Sequence, residues 1–443
     1  MVRNMTQGKP LQVMTMFAIP LFIGNIFQQI YNMVDSIVVG NYVGAGALAA
    51  VGACGGAFNL VISLITGLTG GTSVVLAQYF GAGNKEMVRK TFLSATVVNL
   101  AAGMLLTIVG ILLTKPLLLI LGTPADIMAD ARMYLTIMFL GVLANCLYNG
   151  MAAVLRALGD SLTPLVVLIV CSLFNVVLDL LFVARCGWGV AGVAAATVLS
   201  QLISAIACIV YVLVRMPMLR FYRNDTWIQK DVVLEIIRIG IPAALSTSGV
   251  SVSVMFMQRA INGYGSGVVA AYTIANRGEQ VGLCLGYSIG MAVGTFCGQN
   301  IGARNFERVK RGMHIGYLIS VTYALVIAAV MIIFAEPLSM LFNKDPEVVR
   351  IAVGCLRVTM IFAPVLVLVF VFQNFLRSAG DVSPTVWMSI TEILARSVLA
   401  FLFSWLWGYY GIWWATPVGW LASLLIGWLR YRTGKWKTMQ RIA

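Results

Sequence analysis

The sequence predicts an all-α protein that crosses a membrane twelve times and is built from two related halves of six helices each. Three observations carry that expectation. Apolar runs of spanning length recur from end to end, Lys and Arg cluster between alternate runs, and the chain repeats itself at a displacement of 221 residues, Gln78 to Gln299. Of the 443 residues, 60% are hydrophobic and only 10% are charged. A water-soluble domain carries about 25% charged residues, so there is too little polar surface here to cover the outside of a soluble fold. A β-barrel would need alternating segments of about ten residues, and none is visible, which leaves a helical bundle.

Twelve runs reach the roughly 20 residues that a bilayer requires. They cover about 11–36, 47–79, 92–113, 128–152, 163–184, 189–214, 236–261, 267–300, 313–335, 347–375, 384–407 and 411–430. The second and eighth are long enough to include a tilted or amphipathic part. The domain organisation follows: an N-lobe over 1–214, a polar linker over 215–235, a C-lobe over 236–430 and a basic tail over 431–443.

The repeat fixes how the halves are related. Gln78-Tyr-Phe-Gly-Ala-Gly-Asn84 returns as Gln299-Asn-Ile-Gly-Ala-Arg-Asn305, Lys115-Pro116 returns as Glu336-Pro337, and Leu155-Arg156 through Gly159-Asp160 returns as Leu376-Arg377 through Gly380-Asp381. Ile19-Pro20 returns as Ile241-Pro242, one residue out of step. Six spans per half is an even number, so both copies enter from the same side as parallel repeats. Pro20 and Pro242 read either as helix bends, since proline removes a backbone hydrogen bond, or as helix-start prolines. Most of the 43 glycines read as sites of close helix packing.

The net charge of +14 does not indicate nucleic acid, because the basic residues form seven clusters between apolar spans rather than one patch. With the N-terminus placed in the cytoplasm, 21 of the 30 Lys and Arg residues fall in cytoplasmic pieces. That is the positive-inside pattern, and it puts both termini in the cytoplasm of a multi-pass protein of the bacterial inner membrane. No cleavable signal peptide is expected. Cys54, Cys146, Cys171, Cys208, Cys284, Cys297 and Cys355 fall within spans as small apolar residues, and Cys186 stands alone at the outer surface. With no GxxxxGK[ST] motor motif, no HExxH and a single histidine, His314, the chain reads as a carrier and not an enzyme, with no cofactor and with energy drawn from a gradient.

Ionisable groups inside a membrane cost about 2.5–3.5 kcal/mol each on insertion scales, so they mark function by default. The intramembrane charges are not shared by the halves. Asp35 and Asp179 in the first half face Phe256 and Ala400 in the repeat, whereas the second half holds Arg277, Glu279, Glu392 and Arg396. At 1.5 Å per residue, Asp179 lies about 24 Å and Asn175 about 18 Å from the inner start of their helix, and Thr197 about 18 Å up in a 30 Å core. Asp35 sits within a turn or two of the outer end of the first span. Asp35, Asn175, Asp179 and Thr197 therefore all fall in the outer half of the first bundle, and their hard oxygens suit a proton or a small cation such as Na⁺. In the second half, the similar depths of Glu279 and Arg396, and the i,i+4 spacing of Glu392 and Arg396, predict an ion pair, with substrate binding or gating as the other reading. Met255, Phe256, Met257, Tyr272 and Tyr287 read either as cavity lining or as core and lipid-facing residues.

These residues resemble the multidrug and toxic compound extrusion (MATE) family over nearly the whole chain. The matching pieces are Pro20, Asp35-Ser-Ile-Val-Val-Gly40, Ala47-Leu-Ala-Ala-Val-Gly52, Gln78-Tyr-Phe-Gly-Ala-Gly83, Leu155-Arg-Ala-Leu-Gly-Asp160, Asn175-Val-Val-Leu-Asp179, Gly189-Val-Ala-Gly192 running to Ala196-Thr197, and Ala379-Gly-Asp381. The chain is most similar to the bacterial branch with the DinF-like and MepA-like exporters. The resemblance implies two pseudo-twofold six-helix lobes in a V, and alternating access driven by H⁺ or Na⁺ entering. It implies a cation site at Asp35, Asn175, Asp179 and Thr197, with Pro20 at a bend of the first helix. It also implies antiport of small-molecule drugs, chiefly amphipathic organic cations, by a monomer in the lipid bilayer. The rival in the same class is a flippase for a lipid-linked saccharide or another amphiphile. Twelve spans instead of about fourteen, and few cavity cations, count against it.

Overall fold

The computed structural model describes residues 4–220 and 228–438, and among them every regular element is helical. Fifteen α-helices follow in order: α1 Pro10–Val38, α2 Ala45–Gly81, α3 Lys85–Ile120, α4 Met128–Leu140, α5 Val142–Ala157, α6 Leu162–Asp179, α7 Gly189–Arg215, α8 Lys230–Asn262, α9 Ser266–Gly302, α10 Phe306–Ile333, α11 Ala335–Met340, α12 Pro346–Ile361, α13 Ala363–Ser378, α14 Val382–Trp407 and α15 Tyr409–Arg432. Two π-helical turns, Val39–Val43 and Leu180–Arg185, extend α1 and α6. Ten helices are long and apolar enough to cross a membrane by themselves, and two bent pairs bring the number to twelve. The chain is thus a polytopic all-α membrane protein, as its composition requires.

The bent pairs are α4 with α5, at 44°, and α12 with α13, at 50°. They break at Gly141 and Phe362, equivalent positions of the repeat, for different local reasons. A Cβ on Gly141 would lie 2.4 Å from Val198 Cγ2, so α7 crosses against bare backbone there. Phe362 is followed by Pro364 in the first turn of α13, and a proline has no N–H to continue the preceding helix.

The repeated motifs turn out to be turn chemistry. Gly83, at φ +73°, reverses the chain after α2, and Asn84 Oδ1 then caps α3 by accepting the Met87 N–H at 3.0 Å. In the second copy Arg304 takes the glycine's place at φ +56°, and Asn305 caps α10 through the Arg308 N–H at 3.1 Å. Gln299 holds the chain that enters α1, its Oε1 accepting the Met5 N–H at 2.8 Å. The carbonyl of Met5 accepts from Arg308 Nη2 at 3.1 Å.

Packing divides the chain into two compact units, but the division does not fall in the polar stretch 215–235, part of which (221–227) lies outside the described residues. One unit holds Ile23–Ala244, the other Met5–Phe22 with the chain from Leu245 onward. The cause lies in the first turns of α1 and α8. In the first unit α8 lies directly on α2, where a Cβ on Gly67 would fall 2.2 Å from the Ala244 backbone and one on Gly71 2.6 Å from the Ile236 carbonyl. In the second, Met14, Phe17 and Ala18 of α1 are buried in a core with Ile289, Val293 and Phe296 of α9. Polarity marks where a chain leaves the bilayer, whereas compact units follow contact. Pro20 and Pro242 both lie inside helices, so the helix-start alternative fails for each.

Candidate functional site

In the first unit, three helices bring together side chains that are far apart in sequence. Asp35 lies one turn before the end of α1, Asp179 is the last residue of α6, and Thr197 sits two turns into α7. The π turns begin right after α1 and α6, and Val39 and Val183 of those turns share a small hydrophobic core with Val38 of α1 and Val190 and Val193 of α7. A π turn is wider than an α-helical turn, and such turns occur mostly as single distortions at functional sites. Here they lay an apolar layer next to the polar cluster.

The amide of Asn175 is oriented by its neighbours. With no ion between the carboxylates, an oxygen on that side would face only acceptors, so the hydrogen-bond network assigns the nitrogen to it. Nδ2 donates to Asp35 Oδ1 at 3.1 Å and to Asp179 Oδ2 at 3.1 Å, while Oδ1 accepts the Thr197 N–H at 3.2 Å. Tyr31 donates its hydroxyl to Thr197 Oγ1 at 3.4 Å. Asn175 and Asp179 are completely buried and Asp35 is half-buried. Asp179 Oδ1 has no hydrogen-bond partner among the described residues. All four residues expected at this site meet in it.

The cluster forms one end of a cavity of about 410 Å³, which is also lined by Tyr31, Asn59, Asn145, Asn149 and Gln201. From Asn175 and Thr197 it runs to Leu168 and Ser204, seven residues along α6 and α7, or about 10 Å. Among the described residues no Lys, Arg or His lines it. Two carboxylates without a base in a low-dielectric interior do not persist as a pair of uncompensated charges: one takes up a proton, or a cation sits between them. Sequence reasoning missed Tyr31, Asn59, Asn145, Asn149 and Gln201. A signal was present, since Gln28, Tyr31, Asn32 and Asp35 follow i, i+3, i+4 and i+7 on α1, a polar stripe along an apolar helix.

The second unit builds a different cluster. Arg396 Nη2 meets Glu392 Oε1 at 3.2 Å across one turn of α14, with both side chains under a tenth exposed. The guanidinium also lies over the Trp420 ring of α15, 5.7 Å from its centroid. Glu279 of α9 lies near Thr359 of α12 and within electrostatic reach of Arg396 and Glu392. Arg277 stays outside: it is exposed and forms no ion pair among the described residues. The side chain of Met255 lies outside the described residues, Phe256 is 48% exposed, and Met257 and Tyr272 belong to a hydrophobic core.

Comparison with known proteins agrees with this architecture. The chain is 31% identical to the probable multidrug resistance protein YpnP of Bacillus subtilis, over 99% of its own length and 98% of that protein. It is 25% identical to the probable multidrug resistance protein NorM of Thermotoga maritima, over 95% and 92%. It is 23% identical to the multidrug export protein MepA of Staphylococcus saprophyticus, over 93% and 92%. A solved outward-facing multidrug resistance MATE family transporter of the MOP superfamily superposes with a TM-score of 0.91 at 25% identity, covering 98% of each chain. A MATE in the bent conformation gives 0.92 at 24% identity over 99% and 98%, a likeness of fold. The MatE family model matches residues 20–181 and 242–402, both copies of the repeat, and the chain therefore belongs to the MatE family of membrane transporters.

Proposed function

We propose that this protein is an ion-coupled multidrug exporter of the bacterial cytoplasmic membrane. It works as a monomer with both termini inside and expels amphipathic, chiefly cationic, organic compounds. Asp35, Asn175, Asp179 and Thr197 bind the coupling ion. One observation carries the reading: a single buried amide bridges two carboxylates, Asp35 and Asp179, at the end of a cavity lined by no base among the described residues. Similarity to proteins named multidrug resistance and multidrug export proteins supports the substrate class.

The coupling ion is H⁺ or Na⁺. Asn175 serves either ion through a different face of its amide: the nitrogen donates to the acidic pair when the carboxylates are free or share a proton, and the oxygen faces them when a metal cation sits between. Binding of the ion compensates the buried charge and changes how α1 is held to α6 and α7 at this point, which alters the equilibrium between conformations. Pro20 supplies a soft position in α1, two residues before the helix passes from one compact unit to the other. In the second unit Glu279 is the acid left over after Glu392 pairs with Arg396, and it receives the positive group of the substrate.

Dye efflux from inverted vesicles tests this reading. A pH gradient and a Na⁺ gradient at equal pH are applied in turn; one of them is expected to drive transport, and the one that does identifies the ion. No transport with either gradient, or full drug resistance from Asp35→Asn or Asp179→Asn, would reject the site.

A further inference from the structure

The second unit carries an apolar groove that the transport cycle above does not use. It encloses about 490 Å³ between α10, α13 and α15 and is lined by Tyr317, Val321, Leu368, Phe372, Leu424 and Trp428. On α15 the lining runs from Leu421 to Trp428, a length of about 10 Å. Leu421, Leu425 and Trp428 are 44%, 54% and 43% exposed, so the groove opens toward the bilayer and not into the core.

One end of this groove is basic. Arg432, one turn beyond Trp428, stacks its guanidinium 5.0 Å from the Trp428 ring centroid. It has no carboxylate partner among the described residues, whereas the nearby Arg430 is held by Asp381 through two bonds of 2.6 and 3.1 Å. On α10, Lys310, His314, Tyr317 and Val321 follow i, i+4, i+7 and i+11 and so share one face. Lys310 is committed to Glu307 at 2.6 Å, whereas Arg432 stands against the groove's Trp428 with no carboxylate partner among the described residues. The distribution of Lys and Arg assigns this end to the cytoplasmic leaflet.

We propose that this groove is a binding site for an anionic glycerophospholipid of the inner leaflet, with one acyl chain lying between α10, α13 and α15 and the phosphate paired with Arg432. Basic pockets between transmembrane helices on the cytoplasmic side recognise such headgroups, and a guanidinium fits a phosphate better than an ammonium does. The corresponding face of the first unit differs. It is lined by α7 alone, through Ile203, Ile206, Val210 and Val214 among others. A chain lying there would have no second helix to hold it.

The test is lipid retention. The purified full-length protein is equilibrated in micelles with equimolar phosphatidylglycerol and phosphatidylethanolamine, and bound lipids are counted by native mass spectrometry. The wild type is expected to keep phosphatidylglycerol over phosphatidylethanolamine by about fivefold, the preference one basic residue near an anionic surface confers. Arg432→Gln is expected to bring that ratio to about one, and Val321→Trp, which fills the groove, to remove the retained lipid. Leu424→Trp serves as the second filler if Val321→Trp does not fold. Val210→Trp on α7 is expected to change nothing. Equal retention of the two lipids by the wild type, an undiminished preference in Arg432→Gln, or retention in a folded groove-filling variant would each overturn the proposal.

Discussion

The two halves share their turns, caps and bent spans but differ where charge enters the membrane. In the first half Asp35 and Asp179 meet across Asn175 next to a pair of π turns, and no base among the described residues lines the cavity that Asp35 and Asn175 face. In the second half their counterparts are Phe256 and Ala400, and α14 runs as unbroken α-helix through Trp407 where its counterpart α6 gives way to a π turn. The buried charges there include their own cation, Arg396 against Glu392. Duplication supplied one scaffold, and one copy was made electrically incomplete while the other was largely neutralised. A compensated pair holds a structure in place; an uncompensated pair needs an ion from outside. That contrast is the basis for the proposal that the coupling ion binds in the first half.

The strongest way to break the comparison is through transport. Asp35→Asn and Asp179→Asn are each expected to fold and to abolish efflux of a dye such as ethidium in whole cells. Glu392→Gln paired with Arg396→Met is expected to keep measurable efflux. If the double variant in the second half is as inactive as Asp179→Asn, the division of roles fails.

Next come effects on stability. Arg396→Met alone leaves Glu392 as a buried charge and is expected to cost about 3–5 kcal/mol, read as a lower melting temperature in detergent. Adding Glu392→Gln is expected to recover much of that loss. Equal melting temperatures for the single and double variants would show that the pair does not hold this region. Ala400→Asp puts an acid at the place of Asp179 without an amide to receive it, since Ala400 is completely buried. It is expected to cost about 2.5–3.5 kcal/mol and to add no ion-driven transport. Unchanged melting would mean that the second half can also accommodate a carboxylate at this depth.

The smallest effect concerns what the halves share. Arg304 occupies the left-handed conformation that Gly83 adopts in the first copy. Arg304→Gly removes the side-chain clash of that conformation and is expected to stabilise by about 1 kcal/mol, seen as a small rise in melting temperature. A fall would mean that the arginine side chain repays its strain through a contact of its own.

The sequence by itself determined the solvent and the class of fold, because 60% apolar residues can be covered only by lipid, and a backbone in lipid must bond within helices. It also determined the repeat and the depth of Asp35, Asn175, Asp179 and Thr197, because rise per residue is fixed once a helix spans a bilayer. Only the tertiary structure decided what those residues touch. The π turns have no composition of their own, and the role of the Asn175 amide depends on three neighbours from α1, α6 and α7. Tyr31, Asn59 and Gln201 join the cavity because helix faces turn toward one another, while Arg277, two residues from Glu279 in sequence, is exposed and outside that cluster. The transfer of the first turns of α1 and α8 between compact units followed contact at Gly67, Gly71 and Ala244, which polarity along the chain does not encode. Depth is a property of one helix and can be counted along the chain, whereas facing is a property of several helices packed together.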